Sequence, residues 1–131
     1  MIGQLTGTIA ERANGFITLE VGGVGYRLRV TTDTYQKLAK KEGLITLVTH
    51  LAVRENALDL YGFLTREELH FFELLISVSG IGPKSAIAIL SIADVPTITA
   101  AIAEGNSGYL TKVSGIGRKI AEKIVLELRD K

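Results

Sequence analysis

The sequence predicts a small β-barrel followed by an all-α domain, and three observations predict it. Up to residue 64 the segments alternate apolar and polar residues with a strand's period, and glycines separate them. From residue 65 the apolar spacing becomes that of a helix. Within this second half a glycine-centred segment occurs twice. These shifts place one domain at residues 1–64 and a second at 65–131.

The strands come in order. Residues 2–10 alternate loosely, and residues 16–21 (Phe-Ile-Thr-Leu-Glu-Val) form a short strand. The Gly22-Gly23 pair then supplies the positive φ values of a tight hairpin turn. Residues 24–30 alternate cleanly, with Tyr26, Leu28 and Val30 on one face and Arg27 and Arg29 on the other. Residues 44–53 and 57–63 make a fourth and a fifth strand, and residues 34–41 add a helical turn or two. Five short strands with glycine at the bends favour a closed barrel of the OB type, with an open sandwich as the alternative.

The helices follow. Thr65-Arg66-Glu67-Glu68 is a capping box, with Leu69, Phe72, Leu75 and Ile76 on the apolar stripe behind it. Phe71 belongs with Phe72 in the core. Pro83 stands at a first helical position, where its missing N–H costs nothing. Asp94 caps a helix that runs to about Glu104 and ends at Gly105, and two more helices lie near 107–112 and 118–130.

Composition excludes several function classes. At 131 residues, 47% hydrophobic and 22% charged, the chain folds rather than staying disordered. It has no cysteine, which removes disulfides, thiolate metal sites and a cysteine nucleophile together. Its two histidines, His50 and His70, stand too far apart in sequence for a metal motif, and His50 reads as a hydrogen-bonded strand residue. No metal and no cofactor is expected. No apolar run reaches membrane-spanning length and the N-terminus lacks signal-peptide character, so a soluble, cytoplasmic protein without membrane contact is expected. Net charge is only +1, but it is segregated. Residues 1–41 carry six basic groups against three acidic, residues 42–73 two against six, and residues 74–131 seven against five. Such a chain can hold a basic surface beside an acidic one.

The repeat is the strongest signal. Val78-Ser-Gly-Ile-Gly-Pro-Lys-Ser-Ala-Ile-Ala-Ile89 matches Val113-Ser-Gly-Ile-Gly-Arg-Lys-Ile-Ala-Glu-Lys-Ile124 at eight of twelve positions, 35 residues apart. Each copy reads as helix, Gly-Ile-Gly turn, helix. Both glycines of each pair (Gly80 and Gly82, Gly115 and Gly117) are expected to permit positive φ and a close backbone approach. Ile81 and Ile116 tuck inward. The helix that follows starts with unpaired N–H groups and a positive dipole end, an anion site to which Lys84, and Arg118 with Lys119, add charge. Such a grip holds phosphate and reads position rather than base sequence. A P-loop does not fit, because Lys84 follows proline rather than glycine. Nor does a dinucleotide fingerprint, because Ser85 and Ile120 stand where its third glycine belongs.

These paired turns resemble tandem helix-hairpin-helix DNA-binding motifs. Together with Met1-Ile2-Gly3, Val21-Gly-Gly-Val-Gly-Tyr26, Thr49-His50, Val53-Arg54-Glu55 and Leu60-Tyr-Gly-Phe63, they make the whole chain similar to the bacterial RuvA family of Holliday-junction-binding subunits. The resemblance implies a homotetramer, alone or paired face to face with a second, that holds a four-way DNA junction open and planar. It implies duplex-backbone contact at Gly80, Gly82, Lys84, Gly115, Gly117, Arg118 and Lys119. It further implies an acidic pin at Glu55, where the family's second acid is replaced by Asn56. A carboxylate beside converging phosphates repels them and favours the open crossover. Arg27 and Arg29 either line the DNA side or belong to an ordinary solvated sheet face. The family's partners are the RuvB ATPase, reached through a third domain, and the RuvC resolvase. The chain stops at Leu128-Arg-Asp-Lys131 and is read as a fragment that binds junctions without recruiting the motor.

Two other functions compete. A glycosylase or lyase with a lysine nucleophile has Lys84 and Asp94 to draw on, but the barrel and hairpins leave no room for a base pocket. A general duplex or single-strand repair module would use stacking aromatics on the barrel, for which Phe16, Tyr26, Tyr35 and Tyr61 are the candidates. The non-catalytic junction scaffold accounts for more of the sequence than either.

Overall fold

A computed structural model describes residues Met1–Lys131, which divide into two compact units, Met1–Leu69 and His70–Lys131. In the first, β1 (Gln4–Ala13), β2 (Phe16–Val21), β3 (Val24–Arg29), β4 (Ile45–Arg54) and β5 (Ala57–Phe63) close into a barrel in the order β1-β2-β3-β5-β4. The expected closed barrel forms, and the sandwich does not. β3 and β5 run parallel and all other neighbours antiparallel. Helix α1 (Thr32–Lys37) links β3 to β4, starting two residues before the expected 34–41 because Thr31 caps it, its hydroxyl accepting from the Thr34 amide at 3.2 Å.

β1 is longer than its alternation suggests. Gln4–Gly7 pair with β4 and Thr8–Ala13 with β2, and a bulge between Ile9 and Glu11 bends the strand from one neighbour to the other. Its far end is set by Asn14 (φ 48°) and Gly15 (φ 81°), an Asn-Gly turn signal that alternation does not carry. Gly22 and Gly23 turn the next hairpin with positive φ, as expected. Leu5, Ile17, Leu19, Leu28, Val30 and Leu47 fill the interior, each worth about 1.5–3 kcal/mol when fully buried. Tyr26, Leu28 and Val30 take the inner face and Arg27 and Arg29 the outer, as the alternation predicts.

Helix α2 (Arg66–Ile76) leads into the second unit, where α3 (Pro83–Leu90), α4 (Val95–Ala103), α5 (Ser107–Leu110) and α6 (Arg118–Leu128) follow. The Thr65 hydroxyl accepts from the Glu68 amide at 3.2 Å, as a capping box requires. The return bond differs: the Glu68 carboxylate accepts from the Thr65 hydroxyl at 3.3 Å. Phe71, Phe72 and Leu75 are buried. The helix expected over 107–112 is a single turn, since Gly108 sits inside it and Asn106 already caps the Tyr109 amide.

Candidate nucleic-acid interface

The two Gly-Ile-Gly turns have the same backbone. In each, the central isoleucine amide bonds the valine carbonyl three residues earlier (Ile81 to Val78, Ile116 to Val113, both 3.0 Å). In each, the alanine amide four residues after the second glycine bonds that glycine's carbonyl (Ala86 to Gly82, Ala121 to Gly117, both 3.0 Å). The eight repeated residues fall into two groups. Val78, Ile81, Ala86 and Ile89, with Val113, Ile116, Ala121 and Ile124, are all buried. Ser79, Gly80, Gly82 and Lys84, with Ser114, Gly115, Gly117 and Lys119, are all exposed.

The glycines of a pair do different work, which corrects the expectation that both permit positive φ. Only the first does: Gly80 lies at φ 94° and Gly115 at φ 90°. Gly82 (φ −94°, ψ 176°) and Gly117 (φ −83°, ψ 177°) are extended and act as N-caps of α3 and α6. Any residue adopts that conformation, and a Cβ built on either would have nothing within 4 Å. Neither internal packing nor backbone geometry therefore asks for glycine there.

Helix starts make the same point. Helices α1, α2, α4 and α5 begin under a side-chain oxygen from Thr31, Thr65, Asp94 and Asn106 that accepts a first-turn amide. The two hairpin helices have no side-chain cap. Their first-turn N–H groups are left to an outside acceptor: those of Lys84 and Ser85 in α3, where Pro83 has none, and those of Arg118, Lys119 and Ile120 in α6. Lys84 and Lys119 flank these amides in exposed positions. Arg118 is partly engaged, pairing with Glu122 one turn on at 3.0 Å, an i,i+4 spacing visible in the sequence. Ile120 brings the two turns together, its Cδ1 lying 3.0 Å from where a Gly80 Cβ would stand.

In the barrel, β4 and β5 run past their other neighbours. β3 pairs with β5 only at Leu60 and Tyr61, and the barrel contacts of β4 with the N-terminal segment end at Thr49. The remainder is a two-stranded ribbon whose tip is Glu55-Asn56, both exposed. The Arg54–Asp59 ion pair (3.1 Å) crosses it. Arg27 and Arg29 stand on the outer face of β3 with their guanidinium carbons 4.7 and 5.9 Å from the centre of the Phe16 ring. Tyr61 is buried, and burial, with the nearby Asp59 carboxylate, raises its hydroxyl pKa against the opposing effect of Arg29 and Arg54. Tyr61 thus leaves the set of available stacking rings. His50 lies half-buried on β4, and the chain holds no cluster of three or more His, Asp or Glu side chains suited to a metal ion. No single helix is long and apolar enough to cross a membrane.

Fold and site together define a class: a five-stranded barrel joined to a tandem of helix-hairpin-helix turns. Two family descriptions match it, the RuvA N terminal domain over residues 1–62 and the SAM-like helix-hairpin-helix tandem over residues 72–130. Relatives described as Holliday junction branch migration complex subunit RuvA align with all 131 residues. That of Trichlorobacter lovleyi is 51% identical, that of Syntrophotalea carbinolica 48% and that of Acetivibrio thermocellus 43%. The chain belongs to the RuvA family. It spans about 65% of the length of these relatives.

Proposed function

We propose that this chain is the junction-binding part of a branch-migration scaffold, without catalytic activity of its own and working in the cytoplasm. Its hairpins grip the duplex arms of a four-way DNA junction, and the observation that carries this reading is the exposed half of the repeat. Gly82 and Gly117 leave open surface directly before unpaired helix amides, where a phosphate can approach the backbone. Lys84 and Lys119 add positive charge beside it, and Arg118 contributes when it swings from Glu122. Four copies around a four-fold axis would present eight such turns. Each is a weak grip, and they add through effective concentration only when four arms arrive together. The salt slope for eight single-phosphate contacts would approach about −7, from roughly −0.9 per contact.

Glu55, at the tip of the projecting ribbon, serves as the pin that repels phosphates at the crossover. Arg27 and Arg29 face the DNA from the barrel. The RuvB ATPase supplies the motor, and the RuvC resolvase is a further partner. A competitive gel shift tests the reading, with a four-way junction against linear duplex and single strand at two salt concentrations. A junction preference of about a hundredfold, roughly 2.7 kcal/mol, is expected. Equal affinity for all three forms would overturn it.

A further inference from the structure

On the outer face of the barrel a groove runs between β3 and the ribbon end of β5, with Thr18, Arg27, Arg29, Leu58, Asp59 and Leu60 among its lining residues. Three chemistries meet in it. The two guanidinium carbons lie 4.7 and 5.9 Å from the centre of the Phe16 ring, within cation–π reach, and both arginines are exposed. Leu58 is 70% exposed, one of the largest apolar surfaces left open on the chain. Asp59, anchored by Arg54, keeps acceptor capacity on its carboxylate.

Duplex backbone fits this groove poorly. It would use only the arginines, because paired bases offer no face to Leu58 and no free N–H to Asp59. An unpaired nucleotide uses all three features. Its phosphate takes the arginines, its base lies against Leu58 and a guanidinium plane, and a base N–H can donate to Asp59. We propose that the groove between β3 and β5 holds one unpaired nucleotide of a single DNA strand, beside the ribbon whose tip carries Glu55. This deepens the reading of the chain as a crossover binder and rests on it. An open crossover exposes bases between re-pairings, and a seat for one of them next to the pin lowers the cost of that exposure. The barrel thus acts on the exchanging strand, whereas the hairpins hold the arms.

Fluorescence anisotropy with a labelled thymidine octamer at low salt tests this. Parallel titrations use blunt duplex and an octapeptide of glutamate. Wild-type chain should bind the octamer more tightly than the peptide. Arg27→Gln/Arg29→Gln should lose at least tenfold in octamer affinity and Leu58→Ser about threefold, with the duplex affinity of Leu58→Ser within twofold and the melting temperature of both variants unchanged. In Gly82→Glu/Gly117→Glu the octamer should still bind while junction binding is lost, so that failure of the groove and failure of the hairpin assignment give different results. The proposal is overturned if the octamer does not bind the wild type. It is equally overturned if the arginine or leucine variants leave octamer affinity unchanged, if the duplex affinity of Leu58→Ser falls in parallel, or if the glutamate peptide binds as well as the octamer.

Discussion

The two hairpins differ most where neither the core nor the exposed grip requires identity. Pro83 in the first corresponds to Arg118 in the second, Ser85 to Ile120, and Ile87 and Ala88 to Glu122 and Lys123. Pro83 removes one first-turn amide, so α3 offers two donors where α6 offers three. Ile120 in turn covers Gly80, a contact without a counterpart at Gly115, where an added Cβ would have nothing within 4 Å. Duplication has separated two requirements that a single copy would confuse. The buried half of each repeat builds the turn, and the exposed half presents it.

Breaking the exposed half in both copies should have the largest effect. Gly82→Glu/Gly117→Glu places a carboxylate before each set of free amides, and gel shift should show junction affinity down by a hundredfold or more. Circular dichroism melting should stay near that of the wild type, because both positions are extended and open. Gly80→Ala sharpens the contrast from the other side. Positive φ costs a side chain about 1–2 kcal/mol, and the crowding by Ile120 adds to it, so urea melts should show clear destabilisation. Gly82→Ala should shift the same melts by less than about 0.5 kcal/mol.

Smaller effects should separate the two copies. Lys84→Ala and Lys119→Ala should each weaken junction binding a few-fold and lower the salt slope by about one, with no change in preference among sequences. Glu55→Gln should leave affinity unchanged or slightly tighter, since it removes a repulsion rather than a contact. A large loss on the same gels would contradict the pin.

Much of this architecture was legible. Alternation and the Gly22-Gly23 turn locate β2 and β3, and the twelve-residue match locates both grips, because a repeat exposes its own requirements. The role of the second glycine was not legible, since composition does not distinguish a glycine needed for φ from one needed for space. The arginine platform on Phe16 follows from cross-strand register, which pairs Phe16 with Arg29 and Thr18 with Arg27. The groove beside it depends on β3 meeting β5 across the chain order, a pairing that no local pattern announces.

Gly82 and Gly117 are glycines for the sake of something outside the chain. The most direct test is junction affinity and melting temperature measured together on Gly82→Ala/Gly117→Ala. An unchanged melt and at least a tenfold loss of junction binding are expected, because two methyl groups would stand where phosphates approach. Unchanged affinity, or a loss of binding that merely follows a loss of stability, would contradict it.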